Sequence, residues 1–223
     1  MKTAGEIGFF AAGLCAIAVS ACIGLVSLHG SREHGQYGKT LEFRVSALNT
    51  EHFDQFNRAP EGVDAFSSSQ AREIAQSGKA PEGFQWLPVS SFFLMETGGG
   101  IDPRGILSVI NGRKSLLVAD RPEMILTHTT RGPQWGVKSV EFSSTNIYGP
   151  TVEYIDIDLD STGTKMLRQF TQKYIRHSVA LIVDGQAVAN FGLLTPMRRG
   201  SLRISYPEGG RHLAEQLRDA LKK

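Results

Sequence analysis

The sequence predicts an α+β fold, and three observations carry that prediction. Apolar residues recur at a period of two over several short stretches. Two segments in the last third place them instead at the 3.6-residue period of a helix face. Asn111-Gly112 and Asp184-Gly185 each sit between apolar runs, where a two-residue hairpin turn is expected. The clearest stretch is "VALIVDGQAVANFGL", residues 179–193, in which two runs of small and branched residues flank Asp184-Gly185.

Taken in order, "TLEFRVSAL" alternates Leu41, Phe43 and Val45 with Glu42 and Arg44, a half-buried strand. "SSSQAREIAQSG" reads as a short helix capped by its serines, and "GFQWLPVSSFFLM" as a strand or two. The glycines of "ETGGGIDPRG" mark a loop, and "ILSVINGRKSLLVA" a hairpin about Asn111-Gly112. "RPEMILTHTTRGPQWGVKSVEFSS" gives a strand, a turn and a strand. In "TVEYIDIDLDS" the alternation changes phase at Tyr154-Ile155, which predicts a bulge there. Ser161 or Thr162 is placed to cap a helix whose face carries Met166, Leu167, Phe170 and Tyr174. After the 179–193 hairpin, "SLRISY" is a further strand. Pro207 opens a last helix with Leu213, Ala214, Leu217, Ala220 and Leu221 on one face. The order from residue 151 is β-α-β-β-β-α, which suits a ferredoxin-like layer covered by two helices.

The chain falls into four segments: 1–30, 31–40, 41–150 and 151–223. In the first, Ile7–Leu28 carries no charge. At about 1.5 Å per residue it spans roughly 33 Å, enough for a hydrocarbon core of about 30 Å, so a single transmembrane anchor is expected. Two other readings stand beside it: a cleaved signal peptide, and a lipoprotein box at Val19–Cys22 with Cys22 lipidated. Residues 31–40 are polar and glycine-rich, a linker. Residues 41–150 combine the first strand with an irregular α+β insertion. Cys15 and Cys22 both lie in the apolar run, so the remainder has no disulfide, thiolate nucleophile or cysteine ligand.

The net charge is +2, unevenly spread. Residues 165–223 hold eleven Lys and Arg against four Asp and Glu, whereas residues 31–164 hold twelve against seventeen. A basic third of this kind faces anionic lipid, acidic protein or nucleic acid, or is one face of an ordinary domain. No interleaved aromatic residues favour nucleic acid, and none is expected as a partner.

Chemistry is sparse. "IDIDLD" sets Asp156, Asp158 and Asp160 on one side of a strand, but strand spacing splays them by about 7 Å where a cation site gathers its ligands in a turn. The expectation is a solvated strand face, with Asp160 helping to cap the following helix. His29, His34, His52, His128, His177 and His212 show no metal spacing, and no nucleophile elbow, P-loop or dinucleotide fingerprint occurs. The reading is therefore not an enzyme, with no catalytic, cofactor or metal residues and no cofactor.

Several of these elements together resemble one family. Asp160-Ser161, Gly163, Phe170-Thr171 and the strand Ala180–Val183 before Asp184-Gly185 are similar in order and spacing to the first large periplasmic domain of the SecD protein-export family. Leu41–Val45, "PEGFQWLPV" and "RPEMILTHT" resemble further stretches of that domain. The chain departs from the family's Gly-Lys/Arg-x-Leu, where it reads "IRHSV" (Ile175–Val179), and from its Ser-Ala-Pro after the turn. The resemblance implies a head-like region over 41–150 and a base over 151–223, without the family's later transmembrane helices and proton-linked motor. It implies a membrane-anchored, extracytoplasmic domain that binds polypeptide or Sec translocon subunits. A module of the same fold serving another envelope assembly, or a hydrolase with an unseen catalytic set, remain the other readings.

Overall fold

Side chains on alternate faces of the first strand set the architecture. In this computed structural model the described residues are 41–52, 64–94, 104–128, 134–146, 151–206 and 209–221. They lie within a unit that begins at Gly38. The expected anchor, the linker with its flanking charges, most of the glycine-rich segment after Met95, and Pro207 lie outside the described residues. Among the described residues no helix is long and apolar enough to cross a membrane.

The elements, in chain order, are β1 (Leu41–Ser46), β2 (Leu48–Asn49), β3 (Ala65–Phe66), α1 (Ser68–Ser77), β4 (Phe84–Pro88) and α2 (Ser91–Leu94). They continue with β5 (Leu107–Ile110), β6 (Arg113–Ala119), β7 (Ile125–Thr127), β8 (Val137–Thr145) and β9 (Val152–Leu159). Last come α3 (Ser161–Lys173), β10 (Ser178–Val183), β11 (Gln186–Gly192), β12 (Ser201–Tyr206) and α4 (Arg211–Leu221). The fold is α+β, with mostly antiparallel pairing. The larger sheet runs β11-β10-β1-β6-β4, with β5 beside β6 and β7 beside β1. A second sheet runs β12-β9-β8, and β2 and β3 make a short parallel pair.

The order β-α-β-β-β-α over the last third is present, but its four strands do not share one sheet. β10 and β11 join β1, while β9 and β12 join β8. The two groups meet through side chains instead. Phe43, Val45, Val179 and Leu181 from the larger sheet share one core with Ile155, Ile157, Leu202 and Ile204 from the smaller, and with Leu167, Ala214 and Leu217 of the helices. The opposite face of the larger sheet buries Ala180, Ile182, Ala187, Leu116 and Val118 under Val89 and Phe93. This is why β10 is buried along its whole length and reads as a continuous apolar run.

Local chemistry explains the ends. Ser67 accepts from the Gln70 amide while the Gln70 side chain returns to the Ser67 amide, a complete capping box for α1. α3 is capped by Asp160, not by Ser161 or Thr162: its carboxylate accepts from the Gly163 amide at 2.7 Å. A carboxylate reaches the exposed amides of the first turn, and its charge suits the helix N-terminus. α4 starts at Arg211, beyond the point Pro207 suggested. Tyr154 and Ile155 pair in unbroken register with β8 and β12, so there is no bulge there. The irregularities fall elsewhere, between Val137 and Ser139 opposite β9 and between Leu181 and Ile182 opposite β11. The apparent phase change in β9 arises because Tyr154 belongs to the polar outer face, although its ring is large and apolar.

Both hairpin turns are of the mirror-image type the dipeptides predict. Asn111 and Gly112 have φ of 51° and 76°, Asp184 and Gly185 of 50° and 73°. A Cβ at Gly185 would meet nothing within 4 Å, so a side chain there is opposed by backbone conformation alone. Gly185→Val should therefore cost about 1–3 kcal/mol, the usual range for a β-branched residue held at positive φ. Gly185→Asn should cost less. Equal denaturation midpoints for the two variants and the parent would contradict the turn geometry.

Candidate functional site

The larger sheet ends in a corner where polar groups are buried together. α3 closes at Tyr174, and the chain turns through Ile175, Arg176 and His177 into β10. Arg176 makes this turn at φ 73°, a left-handed conformation costly for a residue with a Cβ. Hydrogen bonds on each side hold it: the Arg176 amide donates to Leu193 O at 2.7 Å, and the Leu193 amide to His177 O at 2.8 Å.

His177 is 9% exposed, and its Nδ1 lies 2.5 Å from Oδ2 of Asp64, which is 1% exposed. Asp64 stands just before β3, and its carbonyl accepts from the Leu48 amide at 2.7 Å. The Tyr174 ring packs edge-on against the imidazole, centroids 5.6 Å apart, while the Tyr174 hydroxyl donates to Glu123 O at 2.5 Å. Beside them, Ser46 and Ser178 are register partners across β1 and β10, and both are fully buried. The Ser46 hydroxyl donates to Asn190 Oδ1 at 2.9 Å. A carboxylate that fixes an imidazole is half of a nucleophile-activating arrangement. Ser46, the hydroxyl whose bond is on this face, is given to Asn190.

Sequence reasoning did not single out this pair. Asp64 and His177 are 113 positions apart and neither lies in a motif.

The three aspartates flagged by spacing are engaged in other ways. Ser139 and Ser201 both donate to Asp158. Asp156 accepts from Ser143 at 2.5 Å and from Arg203 at 2.6 Å. Asp160 turns away: Oδ1 caps α3 and Oδ2 accepts from the Gly136 amide at 2.8 Å. Among the described residues no group of three His, Cys, Asp or Glu side chains is placed to hold a metal ion. Burial works to raise the Asp156 carboxyl, but Arg203 and Ser143 outweigh it and hold it below its usual 3.8. A shallow cleft of about 210 Å³ beside α1 is lined by Asn49, Glu51, Ser68 and Arg72, smaller than the ~300 Å³ at which small-molecule sites begin.

No protein-family model matches the chain, and no curated protein matches it significantly.

Two outcomes follow. His177→Ala leaves the Asp64 carboxylate buried and unpaired, a change that typically costs about 3–5 kcal/mol. The double variant Asp64→Ala/His177→Ala should lose less than the two single losses added, measured by urea denaturation; strict additivity would show that the pair is not coupled. For Asp156 the folded carboxyl is the stronger acid, so its contribution is present above 3.8 and is lost as pH falls through its depressed folded value. Arg203→Ala should therefore be slightly less stable than the parent at neutral pH, and the gap should close in strong acid. A gap that widens on acidification would reverse the sign.

Proposed function

We propose that the chain is a membrane-anchored, extracytoplasmic SecD-like domain that binds polypeptide or Sec translocon subunits. One observation supports this reading above the others. The two segments that bear the resemblance, Leu41–Val45 and residues 160–185, are far apart in sequence yet lie side by side. β1 pairs with β10 through six consecutive residues, Leu41 opposite Val183 to Ser46 opposite Ser178. In this reading residues 151–223 are the ferredoxin-like base and residues 41–150, whose β1 and β4–β7 share the larger sheet with β10 and β11, hold a reduced head. The apolar hairpin is then core, not a binding site.

The surface offers ways to hold an extended chain. β12 and β8 each hydrogen-bond to β9, and they form the two margins of the smaller sheet. A guest strand recruited to such a margin is bound through main-chain hydrogen bonds, which suits partners of varied sequence. Val109, at the β5–β6 hairpin, is 68% exposed and projects away from the core.

Asp64–His177 is the observation that favours a second reading, a hydrolase. Hydrolysis of generic ester or phosphate substrates by the parent, lost in a His177→Gln variant that keeps the parent's circular dichroism spectrum, would establish it.

A photo-crosslinking residue placed at Val109 and, separately, at Arg203 in the full chain tests the first reading in cells. Adducts with Sec subunits or with exported polypeptides in transit are expected. Adducts confined to other envelope proteins would replace it with a module of the same fold serving a different assembly.

A further inference from the structure

Between Asp160 and Glu208 the sequence holds one acidic residue, Asp184, against seven Lys and Arg. The fold gathers most of those cations on one surface. The segment after β11 doubles back along α3. The Met197 amide donates to the Thr171 hydroxyl at 3.0 Å, and a Cβ at Gly200 would lie 2.1 Å from the Thr164 hydroxyl. Residues 197–200 therefore run antiparallel to α3 from its last turn towards its first. This sets exposed Arg198 and Arg199 beside exposed Arg168, which lies between Thr164 and Thr171, with Lys165 next to it. At the far end, the bond from the Arg176 amide to Leu193 O brings Ile175 and Leu194 close together. Both are exposed, Ile175 by 37% and Leu194 by 73%.

No ion pair among the described residues engages Lys165, Arg168, Arg176, Arg198 or Arg199. The nearest carboxylates border the patch without entering it. Asp160 is committed to the Gly136 and Gly163 amides, Asp158 to Ser139 and Ser201, and Glu123 lies beside Lys173. Asp184 is at the opposite end of β10.

We infer that the surface made by the outer face of α3 and residues 193–199 docks on an anionic lipid bilayer. Cations without carboxylate partners supply attraction to anionic headgroups, and two solvent-exposed aliphatic side chains at one end supply the apolar contact of an interfacial insertion. An acidic protein would satisfy the cations but leaves Leu194 and Ile175 without a reason to be bare. A nucleic acid would call for aromatic residues among the cations, and none is exposed there. The inference goes beyond the export reading and does not depend on it.

The test uses the full chain. Where it inserts into nanodiscs, hydrogen exchange is followed at 164–176 and 193–200 in discs of phosphatidylcholine alone and of phosphatidylcholine with one-third phosphatidylglycerol. Where it stays in solution, the same lipids are presented as sedimenting vesicles. Insertion itself reports on residues 7–28, and the lipid comparison reports on the patch. Protection, or sedimentation, is expected with phosphatidylglycerol only, weakening as salt screens the contact. Each basic residue at such a surface contributes about fivefold, so Arg198→Ala/Arg199→Ala should weaken it on the order of 20-fold. Leu194→Asp should weaken it further while leaving the fold intact, because the side chain touches little else. Equal behaviour on neutral and anionic lipid, no loss in the arginine double variant, or protection that arises only when an acidic polypeptide is added would each overturn the inference.

Discussion

The pairing of β1 with β10 is the constraint on which the rest of the structure depends. It closes a loop of more than a hundred residues, an entropic cost that grows only slowly with loop length. The pairing returns burial on both faces. Phe43, Val45, Val179 and Leu181 enter the core shared with the smaller sheet. Ala180 and Ile182 enter the layer under Val89 and Phe93. A shift of one residue in that register would exchange the two sets and send Arg44 and Glu42 into the larger core. In the observed register Arg44 and Glu42 pair with each other at 2.7 Å, and Asp120 lies 3.5 Å from Arg44.

A second joint follows from the first. With β10 committed to β1, β9 pairs with β8 and β12, and the start of α3 is tied to that smaller sheet. Asp160 does this with one carboxylate, one oxygen capping the helix and the other holding the Gly136 amide. Gly163 lets the helix seat there: a Cβ would come within 3.0 Å of the Trp135 ring and 3.1 Å of the Leu159 Cβ. The aspartate and glycine that carry much of the SecD-like resemblance thus have a packing role that is sufficient for their presence. They do not by themselves argue for binding, and the export reading rests on the company they keep.

The Arg176–His177–Asp64 corner is different in kind. A left-handed arginine and a buried carboxylate–imidazole contact at adjacent positions both cost free energy, and strain of this sort tends to gather where a protein acts or switches. Here the same backbone turn also exposes Ile175 and draws Leu194 beside it. The corner therefore links the buried polar groups to the basic surface of α3.

What the sequence determined by itself was local. Strand and helix periods, the Ser67 capping box, the Asn111-Gly112 and Asp184-Gly185 turns and the solvated Asp156–Asp158 face all follow from residues within a few positions of one another. Their energetics are settled before distant segments meet. Asp160 against Ser161 or Thr162 as the cap was ambiguous locally, and was decided by Gly136, which gives Asp160 a second partner across the sheet. The division of β9–β12 between two sheets was not legible, because period tells which face of a strand is buried but not which strand it lies against. Asp64 and His177 were silent for the same reason: no spacing rule connects residues brought together only by the closure of β1 on β10. The left-handed backbone at Arg176 likewise belongs to the tertiary structure, since an arginine takes that conformation only where the bonds to Leu193 on both sides outweigh the clash of its own Cβ.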